Sequence, residues 1–295
     1  MTEKEKFTIV GIRPEPAVSV KKKKIDKEFP WISVSLLSLL VAGCLMAEVV
    51  MTKDPSYLDL MNYNAAPNKE FLFGTDTLGR DIFSGIWYGG RISIMIGFLA
   101  TVISTLIAIV YGSVSGIAPV WLDTLMMRFT EIFLSVPGLL LVLFLQAILG
   151  EANVISLSLV IGLTSWASIA KVIRTEVRQI RNSEYVVASK CMGGSFFYIL
   201  RKHLSPNFIA SIMFMVVMNV RGAIGAESTL SFMGMGLPLE VISWGSMLSL
   251  AERALMTESW WIIVFPGAFL VTLLMCLTNI GNYMRKSSSR KESYL

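Results

Sequence analysis

"SEYVVASKCMGGSFFYILRKHLSPN", Ser183 to Asn207, is a charged, helical-looking stretch set between long apolar runs. It holds Glu184, Lys190, Arg201, Lys202 and the chain's one histidine, His203. Ser183 can cap a helix carrying Glu184 in its first turn, where the helix dipole favours an anion. Gly193-Gly194 ends that helix, because glycine takes the backbone angles that a helix stop requires. "SFFYILRKHL" restarts it, and Pro206 sits just before the next apolar run. Two short helices joined by a glycine turn, held at both ends by apolar helices, make a compact knob. Such a knob fits a groove on another protein and moves its flanking helices when that partner moves. The plainer alternative is an amphipathic loop lying on a membrane surface.

The surroundings point to a membrane. Of 295 residues, 54% are hydrophobic and 16% charged, with a mean hydropathy of +0.63. A soluble domain carries roughly 25% charge. A bilayer core needs about 20 apolar residues per helix. Six stretches approach that: Trp31–Met51, Ile92–Gly112, Trp121–Leu149, Val154–Ala170, Phe208–Phe232 and Trp260–Ile280. The third exceeds the need, and its first turns, with Asp123, Arg128 and Glu131, are expected to project into the cytosol. The fourth continues helically past Ala170 with Lys171, Arg174, Arg178 and Arg181, spaced 3, 4 and 3 on one basic face. The expected fold class is thus all-α and polytopic, with six transmembrane helices.

Lysine and arginine set the direction, because positive segments resist translocation. With both termini inside, cytosolic segments hold 20 of the 26 and the external segments 52–91 and 233–259 hold five. Both termini, and the knob, are expected to be cytoplasmic. This distribution accounts for the net charge of +5, and no nucleic-acid partner is expected. The division read from the chain is a cytoplasmic arm over 1–30, a first span and external interfacial helix over 31–91, a core over 92–284 and a tail over 285–295. The arm is too long and charged for a usual signal peptide, and its Lys21–Lys24 run is read as a topological signal, with anionic lipid as the other reading. The tail reads as a short disordered end. On the outside, Leu78, Ile82, Phe83 and Ile86 recur at helical spacing, with Thr75 or Asp76 as the cap.

Enzymatic chemistry finds no support. There is no GxxxxGK[ST] phosphate loop. One histidine rules out a histidine cage, and Cys44, Cys191 and Cys276 have no paired spacing, so no metal and no cofactor are expected. Two charges fall inside the fifth apolar run, Arg221 and Glu227. Buried membrane charges face a partner or a wet cavity. Arg221 either lines a passage or pairs with another helix. The two are six residues apart, about 600° of rotation, so a regular helix puts them on different faces unless Gly222 and Gly225 break it. Trp244 lies in an external loop that can fold in as a cap over the pathway.

The opening stretch resembles the coupling loop of ABC-importer permeases, in the form found in the dipeptide, oligopeptide and nickel branch. Glu184-Tyr185-Val186 fits its start, Ala188-Ser189 stands at its alanine pair, Gly193 is its glycine, and His203, Pro206 and Asn207 close it. Ser189 replaces an alanine and Ser205 a leucine. "FGTDTLGRDIFSGIWYGGRIS" (Phe73–Ser93), "LMMRFTEIFLSVPGLLL" (Leu125–Leu141) and "ESTLSFMGMGLPLEVISWGSML" (Glu227–Leu248) are similar to three further elements of that branch, with Glu131 where aspartate is usual. The resemblance implies the type I importer permease fold in a bacterial plasma membrane. It also implies coupling to ATPases through Glu184, Tyr185, Ala188, Ser189, Gly193, Gly194, His203 and Pro206. The candidate pathway or gating residues are Arg221, from its charge within an apolar run, and Glu227 and Trp244, which fall in the last of these similar elements. The implied partners are a second, non-identical permease, two ATP-binding cassette subunits, an external substrate-binding protein and a peptide cargo, with membrane lipid around them. Nickel or a nickel chelate is the alternative cargo. From a different class, an ion-coupled secondary transporter could use Arg221 and Glu227, but it needs no docking knob and normally shows an internal repeat.

Overall fold

The structure is a computed structural model describing residues 29–250, 254 and 256–291. Residues 1–28 of the 1–30 arm and residues 292–295 lie outside the described residues, as does Arg253, so the expectations placed on Lys21–Lys24 are not taken further. Among the described residues every named element is helical: α1 Trp31–Leu45, α2 Ala47–Val50, α3 Ile82–Ile117, α4 Val120–Ser135, α5 Gly138–Leu149, α6 Val154–Ser165, α7 Ala167–Ile180, α8 Glu184–Cys191, α9 Phe196–Ile199, α10 Ser205–Phe232, α11 Trp244–Ser249 and α12 Trp261–Lys291.

The 36-residue α3 is the spine. Its buried side is rich in glycine, alanine and serine, which lets neighbouring helices approach closely without a water-driven core between them. A Cβ on Gly112 would stand 2.6 Å from the Ala170 carbonyl oxygen, and one on Gly116 2.6 Å from Val177 Cγ1, so α7 lies directly on this face. Higher up, Cys44 and Trp244 fill the space a side chain at Gly90 would need. α1 packs between α3 and α12, where Asn279 donates to the Ser33 hydroxyl at 3.1 Å.

Among the described residues two helices, α3 and α12 through Ser287, are long and apolar enough to cross a membrane alone; the bent pairs α4–α5 and α6–α7 raise the number to four. α1 is apolar but 15 residues long, and a single turn residue, Met46, separates it from α2. The third expected span is broken: α4 and α5 meet at 91°. Pro137 has no N–H to continue the helix and forces Val136 into an extended conformation (φ −84°, ψ 131°). The external cap differs from expectation too. Asp81, rather than Thr75 or Asp76, caps α3, accepting from the Ser84 N–H at 3.0 Å, and Leu78 precedes the helix. Asp76 instead accepts from the N–H groups of Leu78 and Arg80, closing a turn. Burial pushes its carboxyl above the usual range despite those bonds. At the other end α12 runs on through Lys291 rather than stopping before an unstructured tail. Residues 282–291 contain neither glycine nor proline to end it.

Candidate functional site

The 183–207 segment forms the knob its residues suggest, fastened from within. Val186, Ile199, Leu200 and Leu204 are buried in one cluster with Ile173 and Val177 of α7 and Phe208 of α10. Val187, one residue from Val186, is 44% exposed. Ser183 departs from expectation. Its carbonyl accepts from the Val187 N–H at 3.0 Å, as a cap position requires, but its hydroxyl donates back to the Ile180 carbonyl at 2.7 Å. It therefore joins α7 to α8 and does not cap α8 through its side chain. At the far end Gly193 has φ +83°, and the Gly194 N–H donates to the Ser189 carbonyl at 2.9 Å. That is the left-handed helix stop for which glycine is suited. A Cβ on Gly194 would lie 2.8 Å from both the carbonyl and the hydroxyl of Ser189.

The chain then re-enters a helix at Phe196 and makes one wide turn over Leu200–Leu204, with i→i−5 bonding, before α10. The wide turn falls just ahead of Pro206, which has no N–H to give. The side chains of His203 and Pro206 lie outside the described ones.

Outward, the knob presents an open concavity of about 680 Å³. Tyr185, Ala188, Ser189, Gly193 and Gly194 all line it, together with Met192, Ser195 and Tyr198. The last three escaped the sequence reading, although Tyr185, Ala188, Ser189 and Met192 follow an i, i+3, i+4, i+7 pattern that marks one helix face. Met192 is 87% exposed, and Phe197 and Tyr198 are exposed beside it. Glu184 is exposed at the start of α8.

Glu227 and Trp244 occupy a second constellation, on the external side of α10. Glu227 is wholly buried and ringed by hydroxyls. It accepts from Ser243 at 2.7 Å, Ser93 and Ser231 at 3.1 Å and Ser228 at 3.3 Å. Four donors, from α3, α10 and the start of α11, make a polar interior that is fully satisfied. Trp244, also fully buried, donates its backbone N–H to Ser93 Oγ at 3.2 Å and its indole N–H to the Ile86 carbonyl at 2.8 Å. Gly245 lies so close that a Cβ there would be 2.7 Å from Ser228 Cα. This cage ties the external loop to α3 and α10, with Glu227 and Trp244 both shut off from solvent. The four serines were not singled out from the sequence.

Arg221 sits apart. α10 is continuous through Gly222 and Gly225, so the arginine and Glu227 do not meet. Arg221 is exposed and makes no ion pair among the described residues. Gly222 and Gly225 have open space beside them. The arginine therefore lies on a face left uncovered in the single chain.

Known proteins place this architecture. Residues 108–286 match the family described as binding-protein-dependent transport system inner membrane component. The dipeptide transport system permease protein DppC of Bacillus subtilis (strain 168) is 35% identical over 261 residues, covering 88% of this chain and 80% of that protein. The oligopeptide transport system permease protein OppC of the same organism is 35% identical over 260 residues, covering 88% and 85%. OppC of Haemophilus influenzae is 36% identical over 231 residues, covering 78% and 74%. Among solved structures, a chain of the MetNI methionine ABC transporter in an inward-facing conformation shares the fold, with a TM-score of 0.53 at 16% identity over 69% of this chain and 96% of that one. The chain belongs to the family of inner membrane components of binding-protein-dependent transport systems.

Proposed function

We propose that this chain is one of two unlike permease subunits of an ATP-driven peptide importer, and that the 183–207 knob is where its ATPase partners act on it. The observation that carries the proposal is the knob's two-sidedness. Its inner residues are locked into the α7–α10 core, while Tyr185, Met192 and Tyr198 surround an outward concavity. A rigid body fixed on one side and concave and apolar on the other suits a docked partner. Peptide cargo is supported by relatives named as dipeptide and oligopeptide permeases. In this reading six spans cross the membrane, both termini face the cytosol, and the passage forms against the second permease, with Arg221 on the shared face. An external binding protein delivers the cargo, and ATP binding and hydrolysis in separate chains drive alternating access.

Uptake in proteoliposomes holding the whole complex tests this. Labelled dipeptide, longer peptide and nickel are offered outside with the binding protein, and ATP is enclosed. ATP-dependent peptide uptake, lost in Glu184→Arg, is the expected result. Nickel uptake alone would keep the mechanism and replace the cargo. Uptake indifferent to ATP would overturn the assignment.

A further inference from the structure

Asp123 is almost completely buried at the start of α4, at 4% exposure. Its carboxylate accepts from Arg174 Nε at 2.5 Å and Arg174 Nη2 at 2.6 Å, in the two-pronged geometry that fixes a guanidinium most firmly. Arg178 Nη1 adds a third bond at 2.9 Å, and the Ser115 hydroxyl of α3 a fourth at 2.7 Å. Arg181 donates to the Gly116 carbonyl at 3.1 Å. Three residues of the basic face of α7 are thus engaged with the ends of α3 and α4.

The rest of α4 is thinly held. Apart from Asp123 only Thr130 is buried, while Trp121, Leu125, Phe129 and Ile132 are exposed. Its other ties include the Tyr111 hydroxyl donating to the Met126 carbonyl at 2.6 Å, the Thr130 hydroxyl donating to the Tyr111 hydroxyl at 3.4 Å, and Phe133 against Trp166. On the other side, α7 leads into α8 across three residues, 181–183.

We infer that Asp123 is a positioning residue, the clasp through which displacement of the knob reaches α4 and, across the Pro137 bend, α5. The inference deepens the coupling role proposed above and rests on it. One buried carboxylate shared by two arginines on a helix that moves is a stiff joint, because parting them would strand a charge away from water. Without it, α7 could shift while α4 stayed behind.

The test uses the whole complex, with Asp123→Asn and, as a milder second variant, Arg174→Lys, which keeps the charge and loses the fork. Peptide uptake per ATP hydrolysed is measured beside basal ATPase activity. Nitroxides at Leu125 and Thr175, both exposed, in a Cys191→Ser background report the α4–α7 distance. The unaltered clasp should hold that distance constant between nucleotide-free and ATP-trapped states. Asp123→Asn should change or broaden it and lower uptake per ATP about tenfold, a usual size for coupling between sites, with basal hydrolysis kept. Arg174→Lys should fall between. Unchanged uptake per ATP in both variants, a distance that already shifts with the clasp intact, or failure of both variants to assemble would overturn the inference. Glu184→Arg in the same preparation separates the two ideas. If it leaves coupling intact, the knob's role fails; if it abolishes coupling while the Asp123 variant does not, only the clasp fails.

Discussion

The hydroxyl of Ser243 donates to the Glu227 carboxylate at 2.7 Å across sixteen residues of chain, and that bond anchors the external loop to α10. With the three other serines it turns a charge near the external end of an apolar helix into a structural knot. Glu227→Ala would leave those hydroxyls facing one another in a dry interior. The expected cost is on the order of 3 kcal/mol, read as a fall in the thermal midpoint of the detergent-solubilised complex. Glu227→Gln, which keeps volume and one acceptor, should cost clearly less. Equal and negligible losses for both would show that the cage does not hold the loop.

Arg221 should behave in the opposite way. It is exposed and makes no ion pair among the described residues, so Arg221→Ala should leave stability within about 0.5 kcal/mol. Peptide uptake should nevertheless fall if the residue lines the passage. Normal uptake by a normally folded Arg221→Ala complex would remove it from the pathway.

These two residues show what the sequence could and could not convey. Both were visible as charges where charge is costly, and six residues of helix were enough to put them on different faces. What Glu227 meets was not visible, because its partners Ser93 and Ser243 come from distant segments and a serine carries no signature of its own. The knob was legible because its signals are local: a charged break between apolar runs, a glycine pair, a proline. The bend at Pro137 was local as well, yet the apolar residues on either side of it, Ile132–Val136 and Gly138–Leu145, hid it, since hydropathy reports burial in lipid and not direction. The Asp123 clasp needed both ends in view. The basic stripe on α7 is readable from its spacing, but its acid lies 51 residues earlier.

The glycine pair after α8 gives a prediction at single-atom scale. Gly193→Ala puts a side chain at φ +83°, which costs about 1 kcal/mol locally. Gly194→Ala sets a methyl group 2.8 Å from the Ser189 oxygens, so the turn must open. Both variants should insert normally and lower binding-protein-stimulated ATP hydrolysis, Gly194→Ala more. Gly222→Ala, where open space surrounds the added carbon, serves as the tolerant control. Equal behaviour of all three would mean that the shape of the turn is immaterial.

Val186 and Val187 give the cleanest comparison, being identical side chains on adjacent residues of one helix. Val186 is 1% exposed in the cluster that fastens the knob to α7 and α10; Val187 is 44% exposed on the outer side. Val186→Ala should destabilise by about 2 kcal/mol, for lost transfer energy and the cavity left behind. Val187→Ala should stay within about 0.5 kcal/mol. Thermal unfolding of the isolated permease pair measures both, and ATPase assembly measures what stability alone does not. If the knob is docked on its outer side, Val187→Ala and Met192→Ala should weaken capture of the ATPase subunits while the permease melts normally. Val186→Ala should instead loosen the knob from its own chain and weaken capture only as the melting point falls. Capture that follows stability in every variant would mean that the exposed side makes no contact of its own, and the partner would then have to be sought on another face of the subunit.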